Sequence, residues 1–180
     1  MTRSKLPKTP QRTNPASGFQ MIARAMRDNL CVRVFSQKEH NEVLKAFGQE
    51  VPECVFCGSK EVKRWDHLVP VNECGDTVLG NMVPACQRCD DSKRHKRWDV
   101  WMISSAAGSP KSRGVKSLEG RMARIRKYVE RHSYSVRPLE ARLSEAQRKK
   151  YENLKVELAA LRSKIEAFLK EGSLESLSKG

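Results

Sequence analysis

Aromatic side chains make up only 6% of this 180-residue sequence, and apolar residues of every kind only 38%. So little apolar material excludes a large buried core and points to a small one with long solvated arms. No stretch of 18 apolar residues occurs, which excludes a membrane-spanning helix. Residues 1–17 contain no apolar segment, so they do not read as a secretory signal, and the expected setting is intracellular, in the cytoplasm. No internal repeat stands out. Acidic residues are missing from positions 1–27, where six basic ones stand.

Charge is what the sequence has in excess. Thirty-five Lys and Arg face 21 Asp and Glu, a net of +14, and an excess of that size points to a polyanionic partner, nucleic acid first among them. The excess is uneven. Residues 28–91 carry a net of −4 and residues 92–139 a net of +10, while 140–180 are close to balance. Basic flanks suit a phosphate backbone, and a carboxylate-bearing centre suits a divalent cation.

Four of the six cysteines form two matched pairs, Cys54/Cys57 and Cys86/Cys89, each spaced Cys-x-x-Cys. In a protein expected inside the cell this is the spacing of a metal site rather than of disulfides. Four thiolates close a tetrahedral Zn²⁺ shell and leave no position for a reactive water, so the zinc is expected to be structural. Cys31 and Cys74 have no evident pairing.

The chain reads as five stretches. Residues 1–27, with Pro7, Pro10, Pro15 and Gly18, form a basic, disordered arm, although Met21, Ile22, Ala25 and Met26 mark a short helix between Gln20 and Asn29. Residues 28–53 hold a leading helix over 37–47, opened by the capping box of Ser36 and Glu39, closed by Gly48, and apolar at Val43, Leu44 and Phe47. Residues 54–104 read as strand 61–69, a turn at Gly75-Asp76, a returning strand 78–83 ending before Pro84, and one helix from Gln87 to about Ser104. Residues 105–116 read as a linker.

Residues 117–180 form a helical extension. Leu118, Met122, Ile125 and Val129 mark one amphipathic helix among many arginines. A second follows, started by Ser144 and Gln147 and closed by Gly172. In it Tyr151, Leu158 and Ile165, with Leu154, Leu161 and Phe168, repeat every seven residues like a short coiled coil. Residues 144–170 are therefore an expected surface for a partner helix or for a second copy in a homodimer.

Cys-x-x-Cys-Gly at 54–58, Asp-His-Leu-Val-Pro at 66–70, Asn-Met-Val-Pro at 81–84 and Cys-x-x-Cys-Asp-Asp-Ser-Lys at 86–93 resemble the zinc-containing HNH endonucleases. The resemblance covers residues 54–102 and implies an α+β fold, a small ββα-metal module stapled by zinc. It also implies divalent-metal-dependent hydrolysis of DNA phosphodiesters. In it His67 matches the general base that takes a proton from the attacking water. Asp66 and Asp90 match the two ligands of the catalytic cation, Mg²⁺ or Mn²⁺, and Asn81 matches the residue that holds the loop and orients the base.

The chemistry agrees. A neutral imidazole serves as a base near neutral pH, and a hard cation held by carboxylates stabilises phosphoryl charge and leaving oxygen. Asp66 and His67 are adjacent and face opposite sides of a regular strand, so the strand must end or bend there if both reach one site. Two departures stand out: Asp90 where many members carry Asn, and Glu-Cys-Gly-Asp at 73–76 where a Gly-Gly pair is usual. Lys93, Arg94, Lys96 and Arg97 follow on the helix as expected phosphate contacts, Lys93 one turn past Asp90, and His95 reads as a surface or phosphate contact. Two other readings stand beside this one: a zinc-stabilised DNA-binding protein without catalysis, and a nuclease directed at RNA.

Overall fold

The computed structural model describes residues 14–171; residues 1–13 of the arm expected over 1–27, and the expected helix-closing Gly172, lie outside them, while residues 15–27 of that arm are helical. Along the chain come α1 (Pro15–Asp28), α2 (Gln37–Ala46), β1 (Val62–His67), β2 (Met82–Cys86), α3 (Gln87–Lys93), α4 (Trp98–Met102), α5 (Leu118–Arg131) and α6 (Glu145–Glu171), with 3-10 turns at Val71–Glu73 and Leu139–Ala141. The architecture is α+β: one two-stranded antiparallel hairpin with α3, a four-cysteine cluster, flanking helices and a long C-terminal helix. Residues 26–144 make up one compact unit, while α1 up to Ala25 and α6 belong to another.

In the 26–144 unit α2 starts as its sequence dictates. The Ser36 backbone N–H donates to the Glu39 carboxylate at 2.7 Å, the capping box closes, and Gly48 follows the helix at a φ of 62°. Val43 and Phe47 enter a core with Val55, Phe56, Leu68, Val83, Ala85, Trp98, Trp101, Met102, Met122, Ile125 and Tyr128. Phe56 meets Trp101 edge to face, with ring centroids 5.2 Å apart.

The hairpin pairs Asp66 with Val83 and His67 with Met82, with a register slip between Val62 and Arg64. The returning strand lies later than its hydrophobic run suggested. Residues 78–81 are used to turn the chain, and β2 continues through Pro84 to Cys86. Each strand of a two-stranded sheet has an unpaired edge, so a proline lacking an N–H is tolerated within it.

The helix expected from Gln87 to Ser104 is two helices. Nine residues separate Cys89 from Trp98, two and a half turns, so one straight helix would point them in opposite directions. Arg94, at φ 53° and ψ −116°, breaks the helix, and both Cys89 and Trp98 are buried in the core.

Residues 105–116 are not an open linker. Ser109 and Pro110 are fully buried, the Ser109 hydroxyl donates to the Ser104 carbonyl at 2.7 Å, and the Lys111 N–H donates to the Met102 carbonyl at 3.0 Å. This corner leads into α5, whose Met122, Ile125 and Tyr128 fall three apart and are all buried. The Tyr128 hydroxyl donates to the Met82 carbonyl and accepts from the Gly80 N–H, both at 2.9 Å. So α5, grouped by its sequence with the C-terminal extension, is fastened to the hairpin.

In the other unit, α1 begins at Pro15, earlier than expected, and buries no residue; Met21 is 72% exposed. Helix α6 runs 27 residues, about 40 Å. Tyr151 is its buried residue, whereas Leu154 and Leu161 are each 50% exposed and Phe168 is 70% exposed. No helix among the described residues is long and apolar enough to cross a membrane.

Candidate active site and metal centre

Cys54 and Cys57 sit in a tight turn, with the Gly58 N–H donating to the Cys54 carbonyl at 2.7 Å. Gly58 has a φ of 80°, a left-handed conformation that glycine adopts without steric cost. Cys86 ends β2 and Cys89 lies in the first turn of α3. The hairpin thus delivers one pair to the other.

The four sulfurs lie within 4.8 Å of one another, and Cys57 Sγ is 3.7 Å from Cys86 Sγ. A tetrahedron with Zn–S bonds of about 2.3 Å has edges of about 3.8 Å, so the cluster is able to hold zinc. None of the six cysteines is in a disulfide. Hydrogen bonding with Cys57 and burial push the Cys54 thiol up to about 12, while its bond with Cys54 holds Cys57 far below the ordinary thiol range. Crowded thiolates compete in this way until a dication neutralises them. Arg113 Nη2 donates to Cys89 Sγ at 2.9 Å, an outer partner that the linker-like sequence around it gave no reason to expect. A cavity of about 730 Å³ opens beside this cluster, lined among others by Lys63, Arg88, Asp91 and Arg113.

The second constellation gathers where the hairpin meets α3. Strand β1 ends at His67, as two adjacent side chains serving one site would require. Asp66 is buried, and Lys93 Nζ donates to its Oδ1 at 3.2 Å. Its Oδ2 is also 3.2 Å from that ammonium but lies off any hydrogen-bonding direction and has no hydrogen-bond partner. Burial pushes the Asp66 carboxyl up to about 6 against the opposing pull of Lys93, and the nearby charge of Asp90 adds to the rise. Asp90, in α3, is half-buried and receives Arg64 Nε at 3.1 Å.

Lys93 is not the exposed phosphate contact expected one turn past Asp90. It is fully buried, because the helix ends on it and the Asp66 carboxylate is its counter-ion. Arg94, Lys96 and Arg97 are exposed; Arg94 Nε donates to the Asp91 carbonyl at 3.1 Å, and Arg97 pairs with Asp99 at 3.3 Å. His95 is exposed as well.

Asn81 is fully buried and holds the loop between the strands. Its Oδ1 accepts from the Val69 N–H at 2.8 Å, while its Nδ2 donates to the Asp76 carbonyl at 2.7 Å and the Val69 carbonyl at 3.1 Å. In the Cys74-Gly75 pair, Cys74 takes the left-handed conformation at φ 61° that a glycine would hold more cheaply. Gly75 passes so near the Val69 carbonyl that a Cβ would lie 1.8 Å from its oxygen. His67 is half-buried, with Nε2 2.9 Å from Thr77 Oγ1.

Asp66 and Asp90 are thus electrostatic neighbours, with His67 beside Asp66 at the strand end. Among the described residues, the group of three or more Cys, His, Asp and Glu drawn within mutual ligand range is the cysteine cluster, so Asp66, His67 and Asp90 are more loosely placed. One or two carboxylates, with water and phosphate oxygens completing the shell, are what Mg²⁺ ordinarily takes. Oδ2 of Asp66, buried and without a hydrogen-bond donor, fits a cation. Residues 54–96 match the family model described as HNH endonuclease, so this stretch is an HNH endonuclease domain and the chain carries a nuclease-family module. No curated protein and no solved structure matches the chain.

Proposed function

We propose that the chain, whose residues 54–96 are an HNH endonuclease domain, hydrolyses DNA phosphodiester bonds with a divalent cation and that its four clustered cysteines hold a structural Zn²⁺. The observation that carries this reading is the buried Asp66 carboxylate, one oxygen of which lacks a hydrogen-bond donor, beside Asp90 and next to His67. Asp66 and Asp90 are the residues that hold the catalytic cation, Mg²⁺ or Mn²⁺. When bound, the cation neutralises charge on the phosphoryl oxygens and the leaving oxygen.

The rest belongs to the chain's own side chains. His67 takes a proton from water, whose oxygen bonds to phosphorus as the bond to the leaving sugar oxygen breaks; that oxygen takes its proton from solvent. Lys93 keeps Asp66 ionised. Asn81 keeps the connecting loop closed over the end of β1. Exposed Arg94, Lys96 and Arg97, with Arg124, Arg126, Lys127 and Arg131 exposed on α5, supply phosphate contacts that draw a polyanion to the site.

The test is relaxation of supercoiled plasmid by the full, zinc-loaded chain, with and without Mg²⁺ or Mn²⁺, beside RNA at the same salt concentration. The expected result is plasmid cutting that requires the divalent ion and exceeds RNA cutting. Faster RNA cutting would transfer the activity to RNA. Tight, salt-sensitive DNA binding with no cutting under any divalent ion would leave a zinc-stabilised DNA-binding protein.

A further inference from the structure

We infer that Thr77 is the positioning residue of His67, fixing the imidazole in the tautomer that carries its proton on Nε2 and accepts the proton of water at Nδ1. The inference rests on the nuclease reading and adds to it a residue outside the sequence motif. A neutral imidazole offers one donor and one acceptor, and the bond made at one nitrogen decides the role of the other. Here Nε2 lies 2.9 Å from the Thr77 hydroxyl oxygen. With the hydroxyl accepting from Nε2–H, the bond survives proton transfer, because both nitrogens of imidazolium are donors. It strengthens as the ring becomes charged, so it favours the transition state over the ground state.

A hydroxyl orients a ring only if it is itself held, and Thr77 is held from several directions. Its N–H donates to the Val32 carbonyl at 2.8 Å and its carbonyl accepts from the Val34 N–H at 2.9 Å, an isolated bridge that pins its backbone to the segment before α2. Its neighbour Asp76 is buried. The Asp76 carboxylate accepts from the Val32 N–H at 2.7 Å and from the Arg142 guanidinium at 2.7 and 3.0 Å, and its N–H donates to the Tyr134 hydroxyl at 3.0 Å. The Asp76 carbonyl accepts from Asn81 Nδ2. Thus chain from before the HNH domain (32–34) and chain after it (134–142) converge on the two residues that precede Val78, and Asn81 ties the same loop from within. Threonine is also stiff about its first side-chain torsion, so a fixed backbone fixes the oxygen.

Two variants and one spectrum test this in the full, zinc-loaded chain. Thr77→Val keeps the shape and loses the hydroxyl; Thr77→Ser keeps the hydroxyl. For Thr77→Val, plasmid-nicking kcat is expected to fall between about tenfold and a hundredfold, the range for a hydrogen bond to a charged group, with KM for DNA unchanged. Thr77→Ser is expected to cut within about threefold of wild type. A valine variant as active as wild type, or a serine variant as impaired as valine, would overturn the assignment. Long-range proton–nitrogen correlation spectra of neutral His67 give an answer independent of cutting. Wild type is expected to show the Nε2–H form, and an Nδ1–H form would overturn the inference whatever the enzyme does. A wild-type chain that shows the expected tautomer but never nicks DNA would contradict the nuclease reading, not the role of Thr77 in orienting the ring.

Discussion

Lys93 and Asp66 are both shielded from water, with 0% and 8% of their side chains exposed, so their pairing is a desolvated one. Removing one partner of such a pair leaves an uncompensated charge, at a cost of several kcal/mol. Lys93→Met is therefore expected to lose about 3 kcal/mol of unfolding free energy at pH 8. Asp66 has a folded pKa, near 6, above its unfolded value, and without Lys93 it rises further. The favourable state is then the neutral carboxyl, so the loss should be smaller at pH 6 than at pH 8, and Asp66→Asn in the same background should restore part of it. Urea denaturation at both pH values checks this, and an unchanged midpoint in Lys93→Met would contradict it. The burial of Lys93 was hidden in the sequence because counting one turn from Asp90 gives a direction, not the place where the helix stops. Asp66, His67, Asn81 and Asp90 stood out because they fall within the motifs that carry the family resemblance. Thr77 did not, because its contact with His67 comes from loop closure between strands.

At the scale of elements, α5 has the clearest energetic role. Its Tyr128 hydroxyl satisfies both the Gly80 N–H and the Met82 carbonyl inside the core. Burial pushes that phenol up to about 12. Its folded pKa thus lies above the unfolded value of about 10, so the stability it contributes is complete below about pH 10 and is lost as pH rises through about 12. Tyr128→Phe should flatten this alkaline limb while costing about 1–3 kcal/mol at neutral pH for the two groups left unpaired. Denaturation profiles from neutral to alkaline pH test both halves, and a variant that keeps the alkaline slope would show that another group titrates.

The capping box of α2 and the strand β1 were legible in the sequence because they depend on neighbours within a few residues. The position of β2, the break at Arg94 and the packed corner at 105–116 were not. Each is set by what must be buried: Pro84 and Cys86 beside β1, Cys89 and Trp98 from either side of one turn, Ser109 and Pro110 where the chain folds back on Met102 and Ser104. Periodicity within one segment carries no such information. The two cysteine pairs were legible because a tetrahedral zinc shell takes four ligands; the cluster they form is able to hold zinc, and a bound metal would add on the order of 10 kcal/mol to folding in so small a core.

At the scale of the whole molecule, the sparse apolar content is gathered in the 26–144 unit into one small core, and Arg94, Lys96, Arg97, Arg124, Arg126, Lys127 and Arg131 of that unit are exposed. The negative net charge of residues 28–91 includes the carboxylates that serve the hairpin: Asp66 and Asp90 at the site, and Asp76 bonded to Arg142 in its support. The HNH domain spans only 54–96, yet the fold around it draws on α2, the 105–116 corner, α5 and the segment through Arg142. In the proposed division of labour, His67 moves the proton while Asp66 and Asp90 hold the cation. The nicking rate of His67→Ala at saturating Mn²⁺, in the full zinc-loaded chain, tests it most directly. The expected result is a loss of at least about a hundredfold with Mn²⁺ affinity unchanged. Cutting at the wild-type rate would contradict it.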